Sequence, residues 1–311
     1  MQAVTKRLIM KINCVIVTYN RVELLKENLD AVMSQTYPLH KIFVINNHST
    51  DSTEEYLTRF SDNPQIIACN LEENIGGAGG FSYGLKKAVQ EGCDYVWMMD
   101  DDTIPAPDAL ERLVEATAID PDTGFMCSKV VWTDGELHRM NQCGIYVPEI
   151  KVCMPGNESV YAFKCFHCTF VSVMFKAEAV RKVGLPYKEF FIWHDDIEYT
   201  ERISHAGYTA YYVDKSVVVH KTAVNYRPHV EETTKKDLWK FYYQARNTTF
   251  LTYKRKPNKL ATYLSLMNKY RKYLRKINLI KDKETRKYLK KEIKRGIMDG
   301  MNFRPEIEYI D

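Results

Sequence analysis

Three consecutive carboxylates, Asp100, Asp101 and Asp102, follow the apolar run Tyr95-Val-Trp-Met-Met99. Carboxylates crowded on a short turn repel one another, and keeping them ionised in a cleft calls for a cation. Oxygen ligands favour Mn2+ or Mg2+, which keep open positions for phosphate oxygens. A plainer account is a solvated turn capping the helix that starts near Pro107, but Asp108 or Thr103 would do that with less repulsion. A second acidic group, Asp195, Asp196 and Glu198, stands where the chain enters a helix behind Phe190-Phe-Ile-Trp193. Helix capping accounts for one of these carboxylates; another is placed to act as general base on a bound hydroxyl. His220, taken singly, reads as a structural hydrogen bonder, yet a neutral imidazole would complete a site with two carboxylate ligands.

Gly76-Gly-Ala-Gly-Gly80-Phe81 stands just before a helix expected over 81–90. Glycines there let backbone N–H groups approach a phosphate or sugar. The run lacks the spacing of a dinucleotide fingerprint and the lysine of a P-loop, so a turn needed for tight packing is the competing account. Cys143, Cys153, Cys165 and Cys168 offer four thiolates for zinc, the last two as Cys-x-x-Cys. Cys143 and Cys153 are not at paired-knuckle spacing, which favours small core or loop cysteines. Cys168 also opens an apolar run to Phe175 that reads as a buried strand.

The elements that must position these groups alternate. Strands are expected over 12–17, 41–45, 65–69 and 95–99, with helices over 22–35, through Phe60 after candidate caps within Ser49-Thr-Asp-Ser52, and over 81–90. That alternation predicts an α/β fold with a mostly parallel sheet covered on both faces, where ligands gather beyond the carboxyl ends of the strands. Asn20, Asn46-Asn47 and the three aspartates all fall at such ends. Residues 130–175 read as strand-rich with turns at Gly144, Pro148 and Pro155-Gly156. A short helix over 177–183, a helix ending near His205, and strands from 208 to His220 follow. Beyond Asp237 the chain reads as helical, with one break at Pro257-Asn258.

The 311 residues carry a net charge of +4, unevenly divided. Residues 254–295 hold 17 Lys/Arg against 3 Asp/Glu, a local +14, leaving −10 elsewhere. An acidic body with a basic tail region points to an anionic surface as partner. Tyr270, Tyr273, Leu274 and Ile277 recur at helical spacing with a cationic opposite face, a helix suited to an anionic membrane; packing of that face on the protein is the alternative. No uncharged run approaches the ~18 residues of a membrane span. Lys11 and Asn13 interrupt the only stretch that could mimic a secretory signal. The expected location is therefore cytoplasmic, peripheral on the inner face of the cell membrane, with reduced thiols.

Taken in order, Val15-Ile-Val-Thr-Tyr-Asn20, Val44-Ile-Asn-Asn-His-Ser-Thr-Asp51, Asn74-Ile-Gly-Gly-Ala-Gly-Gly-Phe81, Met98-Met-Asp-Asp-Asp102, Trp193-His-Asp-Asp-Ile-Glu198 and Val218-Val-His220 resemble the family 2 glycosyltransferases of GT-A fold. Within that family the glycine run and triple aspartate look most like bacterial galactofuranosyltransferases, with rhamnosyltransferases close behind. Tyr242-Tyr-Gln-Ala-Arg-Asn247 is similar to a motif that often follows. The resemblance implies a catalytic domain over 1–225 and a basic helical region over 226–311. It implies that Thr18, Asn46 and Asn47 contact the nucleotide, and that Gly76, Gly77, Gly79 and Gly80, with Asp101, line the donor site. Asp100, Asp102 and His220 would be metal ligands. Asp196, aligned on the Asp-x-Glu that ends its motif, would be the base, supported by Asp195. Trp193, His194 and Glu198 would face the acceptor. Two departures stand out: many members have Asp where this chain has Asn46, and His194 lengthens the Trp-to-Asp spacing, which keeps Asp195 an alternative base.

The implied reaction is inverting transfer of a sugar from UDP-galactofuranose, or alternatively dTDP-rhamnose, to a glycan or lipid-linked acceptor in bacterial surface polysaccharide synthesis. A nucleotidyltransferase would also need clustered aspartates, but neither the acidic cluster near Asp196 nor the glycine run. A basic nucleic-acid-binding protein leaves every strand-end motif unexplained, so no nucleic-acid partner is expected. Oligomeric state is left open.

Overall fold

The computed structural model describes residues 10–145, 162–256 and 258–310. Strand–helix alternation comes first, as expected: β1 (Ile12–Thr18), α1 (Val22–Met33), β2 (Lys41–Asn46), α2 (Thr53–Thr58), β3 (Ile66–Asn70), α3 (Gly76–Gln90) and β4 (Tyr95–Asp100). All seven residues of β1 are buried, which suits its near-continuous apolar sequence to the middle of a sheet covered on both faces. Its one amide side chain is satisfied: Asn13 Nδ2 donates to the Ala88 carbonyl at 2.8 Å, and Oδ1 lies 3.1 Å from His40 Nδ1.

The chain continues through β5 (Thr103–Pro105), α4 (Ala109–Ala116), β6 (Thr123–Val131), β7 (Gly144–Ile145), β8 (Ala162–His167), β9 (Val173–Lys176), α5 (Ala177–Val183), a 3-10 turn (Lys188–Phe190), α6 (Asp195–His205) and β10 (Thr209–His220). The sheet runs β3-β2-β1-β4-β9-β6-β10-β8-β7, with β5 on β10. The β3-β2-β1-β4 half is parallel. Strand β9 then enters antiparallel between β4 and β6, and β10 runs parallel to β6. The run expected to be a strand from Cys168 forms one only from Val173. Gly144, expected in a turn, begins β7, whereas Pro148, Cys153 and Pro155-Gly156 lie outside the described residues.

Each face of the sheet has its own core. On one, Leu85 and Val89 of α3, Val180 of α5 and Ile203 of α6 pack with Val15, Phe125 and Phe175. On the other, Leu25 and Leu29 of α1 and Leu110 and Leu113 of α4 cover Ile16, Trp97 and Met126. The i, i+3, i+4, i+7 set of α1, Leu25, Asn28, Leu29 and Val32, is the buried stripe.

Three helices follow: α7 (Lys240–Arg255), α8 (Lys259–Leu279) and α9 (Lys283–Asn302). Helices α7 and α9 approach closely because Gly296 and Gly300 face the α7 backbone. A Cβ there would sit 2.3 Å from the Tyr242 carbonyl oxygen and 2.5 Å from that of Arg246. Tyr270, Tyr273 and Ile277 of α8 join Phe241, Leu289 and Ile293 in a third cluster, so the stripe expected to meet a membrane packs inward instead. The end of the chain returns to the sheet body: the Leu185 N–H donates to the Glu308 carbonyl at 2.8 Å, and Ile310 is buried in the first core.

Candidate active site

The register of the sheet brings distant residues to one edge. Val17 of β1 pairs with Asp100 of β4, and His220 of β10 pairs with Thr103 of β5, which follows the aspartate turn directly. Ligand atoms of Asp100, Asp102 and His220 consequently lie within 4.8 Å of one another. The turn is tied on three sides. Thr18 Oγ1 donates to Asp101 Oδ2 (2.7 Å), Asn28 Nδ2 to the Thr103 carbonyl (2.5 Å), and the Lys221 N–H to the Asp102 carbonyl (2.8 Å).

Whether this triad suits a divalent cation can be judged from its polar atoms. Asp102 Oδ1 is buried without a hydrogen-bond partner, although His220 Nε2 stands 3.1 Å away. A buried acceptor left this way is costly unless something else meets it, and an ion between the two groups would. Burial, reinforced by the charge of Asp102, pushes the Asp100 carboxyl up to about 7. Asp102 also feels burial, but His220 and Arg21 hold it down at about 2. The residues therefore fit a hard divalent cation with mixed oxygen and imidazole ligands.

The imidazole orientation is fixed from behind. Asn141 Nδ2 donates to Thr169 Oγ1 at 3.0 Å, which leaves Oδ1 facing His220 Nδ1 at 2.7 Å. An amide oxygen accepts only, so Nδ1 carries the hydrogen and Nε2 is turned to Asp102. His138 packs against His220, with ring centroids 4.6 Å apart and planes tilted by 36°. Arg21 reaches across the cleft edge, its Nη1 2.5 Å from Asp102 Oδ2 and 3.4 Å from Asp101 Oδ1.

The acidic group at α6 opens into the same cleft, about 290 Å³ in volume, which is near the lower end of ligand-site sizes of roughly 300–1,000 Å³. Asp100, Asp102, Asp195, Asp196, His194 and His220 all line it. The entry to α6 is held in an unusual conformation, with Phe191, Trp193 and His194 all at positive φ (64°, 64° and 70°). Such residues cost on the order of 1–3 kcal/mol each and persist only where neighbours hold them. Asn247 of α7, fully buried, does so: its Nδ2 lies 3.0, 3.1 and 2.9 Å from the carbonyls of Phe190, Ile192 and Trp193. Arg246 Nη2 adds bonds to the Glu189 and Phe190 carbonyls at 2.6 and 3.1 Å. Gly76 makes room for the same turn, since a Cβ there would lie 2.2 Å from the Phe191 oxygen. Asn247→Ala should cost about 1–3 kcal/mol, lowering Tm by several degrees. Calorimetry checks this; unchanged stability would mean the clamp does nothing.

The two carboxylates at this turn are driven apart. Burial and the charge of Asp196 push Asp195 well above the ordinary carboxylate range. Asp196 is raised by burial to about 6, restrained by backbone N–H groups such as Ile197, whose N–H donates to Oδ1 at 2.7 Å. Raised to about 6, Asp196 is suited to accept a proton near neutral pH.

Other expected site residues sit elsewhere. Glu198 turns from the cleft into an ion pair with Arg202 (2.7 Å) and Lys254 (2.9 Å). Asn47 engages its side chain with Asn74, Gly76 and Ile75, and Asn46 with Asn70 and Ser49, so both brace strand-end loops. Thr18 is buried against Asp101. The glycine run is the first turns of α3 rather than a loop: a Cβ at Gly79 would meet Ile75 and one at Gly80 would meet Val17, while Gly77 reaches the cleft. Arg21, Asn28 and Asn141 were not foreseen, and Asn247 closes the Tyr242–Asn247 motif, to which no role was assigned. Of the first three, Arg21, directly after the strand-end Asn20, had the best available signal.

The chain matches the family model described as Glycosyl transferase family 2 over residues 14–184, more than half its length. It belongs to glycosyl transferase family 2. It is 27% identical over 207 residues to the galactofuranosyltransferase GlfT1 of Mycolicibacterium smegmatis, covering 62% of this chain and 65% of that one. Among solved structures, it resembles the mannosyltransferase PcManGT of Pyrobaculum calidifontis, in complex with GDP-Man and Mn2+. That match has a TM-score of 0.56 and 17% identity, over 94% of this chain and 87% of the other. GalNAc-T7 with UDP, GalNAc and Mn2+ matches at TM-score 0.57 and 16% identity, over 78% and 51%. The fold of this family 2 glycosyltransferase is thus the GT-A α/β fold.

Proposed function

We propose that this glycosyltransferase is an inverting, metal-dependent hexosyltransferase that moves galactofuranose from UDP-galactofuranose to a glycan or lipid-linked acceptor in surface polysaccharide synthesis. The observation that carries the reading is the convergence of Asp100, Asp102 and His220 with Asp195 and Asp196 on one cleft. The similarity to the mycobacterial galactofuranosyltransferase supports the sugar, and the Mn2+ complexes of two structural neighbours support the metal.

A divalent cation held by Asp100, Asp102 and His220 would neutralise the diphosphate leaving group. Arg21 lies beside that position and offers a second positive charge. Asp196 takes the proton from the acceptor hydroxyl as its oxygen bonds to the anomeric carbon. The bond from that carbon to the diphosphate oxygen breaks on the opposite face, which inverts the anomeric configuration. The clamp of Asn247 and Arg246 fixes the turn that leads into Asp196. Incubating the protein with Mn2+ and a panel of nucleotide-sugars should release UDP fastest from UDP-galactofuranose. Faster turnover of dTDP-rhamnose would replace the sugar assignment, and inertness toward every nucleotide-sugar would remove the reading.

Attachment to an anionic membrane is part of the proposal, on a different face of α8 from the one first expected. Leu260, Tyr263, Leu264 and Met267, at i, i+3, i+4, i+7 spacing, are exposed, in a region rich in lysine and arginine. No helix among the described residues is long and apolar enough to cross a membrane. An amphipathic surface helix binds by buried apolar area together with attraction to anionic lipid. Leu260→Glu with Leu264→Glu should abolish sedimentation with phosphatidylglycerol vesicles at low salt while leaving transfer to a soluble acceptor intact. Unchanged binding of that variant would rule the stripe out.

A further inference from the structure

Beside the cleft, three cysteines from separate stretches of chain meet, with a fourth near them in the same core. Cys127 lies on β6, Cys143 just before β7, Cys165 on β8 and Cys168 just after it. The Sγ atoms of Cys127, Cys143 and Cys165 are all within 4.8 Å of one another, and Cys127 and Cys143 are 3.7 Å apart. Cys168 packs in the same buried cluster but lies outside this set of three. Cys127, Cys165 and Cys168 are buried, Cys143 partly so. In a tetrahedral zinc–thiolate site with Zn–S bonds of ~2.3 Å, neighbouring sulfurs are separated by ~3.8 Å, the spacing of the Cys127–Cys143 pair. Sulfurs bridged into a disulfide would be only ~2.0 Å apart. Cys14, Cys69 and Cys93 take no part in the group.

We propose that Cys127, Cys143, Cys165 and Cys168 bind one structural zinc ion. The sequence favoured core cysteines because Cys143 and Cys153 have the wrong spacing; Cys127, sixteen residues before Cys143, takes the vacant place in the set. Among the described residues, β7 pairs with β8 at Gly144–His167 and Ile145–Cys165, so the thiols sit where these two strands join. The knot also bears on the active site. Asn141 is two residues before Cys143 and Thr169 directly follows Cys168, and these two side chains set the orientation of His220. All four thiols release their protons on binding, so zinc replaces protons and no oxidant is needed.

The test is zinc content after dialysis of the intact protein against EDTA, followed by release with a mercurial thiol reagent and a colorimetric zinc indicator. One zinc per chain should remain after dialysis and appear only when the mercurial is added. Asp102→Asn and Cys69→Ser should keep it, and Cys127→Ser should lose it. If Cys127→Ser does not fold, cobalt exchanged into the unaltered protein should give intense thiolate-to-metal charge-transfer bands, which a carboxylate–imidazole site cannot produce. A chain without zinc and without such bands on cobalt addition overturns the proposal. So does zinc that survives the mercurial and disappears in Asp102→Asn, or iron in place of zinc.

Discussion

Asp196→Asn should reduce glycosyl transfer by about 10²–10⁴-fold, the usual contribution of a positioned general base, while donor affinity stays near that of the unaltered protein. Asparagine keeps the size of the side chain and can still accept the Ile197 N–H bond at the start of α6, so the fold of the turn should survive. What is lost is a group that can take the acceptor proton. The unaltered enzyme should show an acidic limb in kcat near pH 6, because Asp196, raised by burial to about 6, must be ionised to act and is protonated below that value. Asp196→Asn should lose the limb together with the rate. Asp195→Asn is the control: burial and the charge of Asp196 push the Asp195 carboxyl upward and away from the role of a base, so its amide should retain far more activity. Full turnover by Asp196→Asn, with the loss transferred to Asp195→Asn, would exchange the two roles.

Asp102→Asn should be nearly as damaging. Asp102 sits between the Arg21 guanidinium and the His220 ring and supplies the buried oxygen that no hydrogen bond satisfies. Neutralising it weakens the cation site, removing several kcal/mol of leaving-group stabilisation, a loss of roughly a hundredfold or more in rate. The unaltered enzyme should stop in EDTA and recover with Mn2+. The variant should need far more Mn2+ to reach a far lower maximum. Activity in EDTA equal to that with Mn2+ would dismiss the metal role of the triad, whatever the behaviour of Asp196→Asn.

The two active-site acidic groups and the basic surface region depend on the fold to different degrees. Asp100 and Asp102 are adjacent in the chain to the strand that delivers them, so local order was enough to place them at the ligand-collecting end of the sheet. The amphipathic pattern of α8 misled because two apolar stripes share one helix. The stripe through Tyr270 and Ile277 is covered by α7 and α9, and the one through Leu260 and Leu264 is left outside. Helical periodicity gives the stripes but not which of them meets a neighbour.

The sequence by itself determined the parallel half of the sheet, the aspartate turn at the end of β4, the acidic entry to α6 and His220 at the end of β10. Each follows from apolar periodicity and from residue types next to one another in the chain. Only the tertiary structure decided which groups work together. It set Asn141 behind His220, Asn247 beneath the strained turn at Phe191–His194 and Cys127 among the other thiols, and it moved Glu198 away from the cleft. The reason is physical: these are contacts across long loops, fixed by strand register and helix packing, and a buried amide or thiol has no periodicity that marks its partner in the chain.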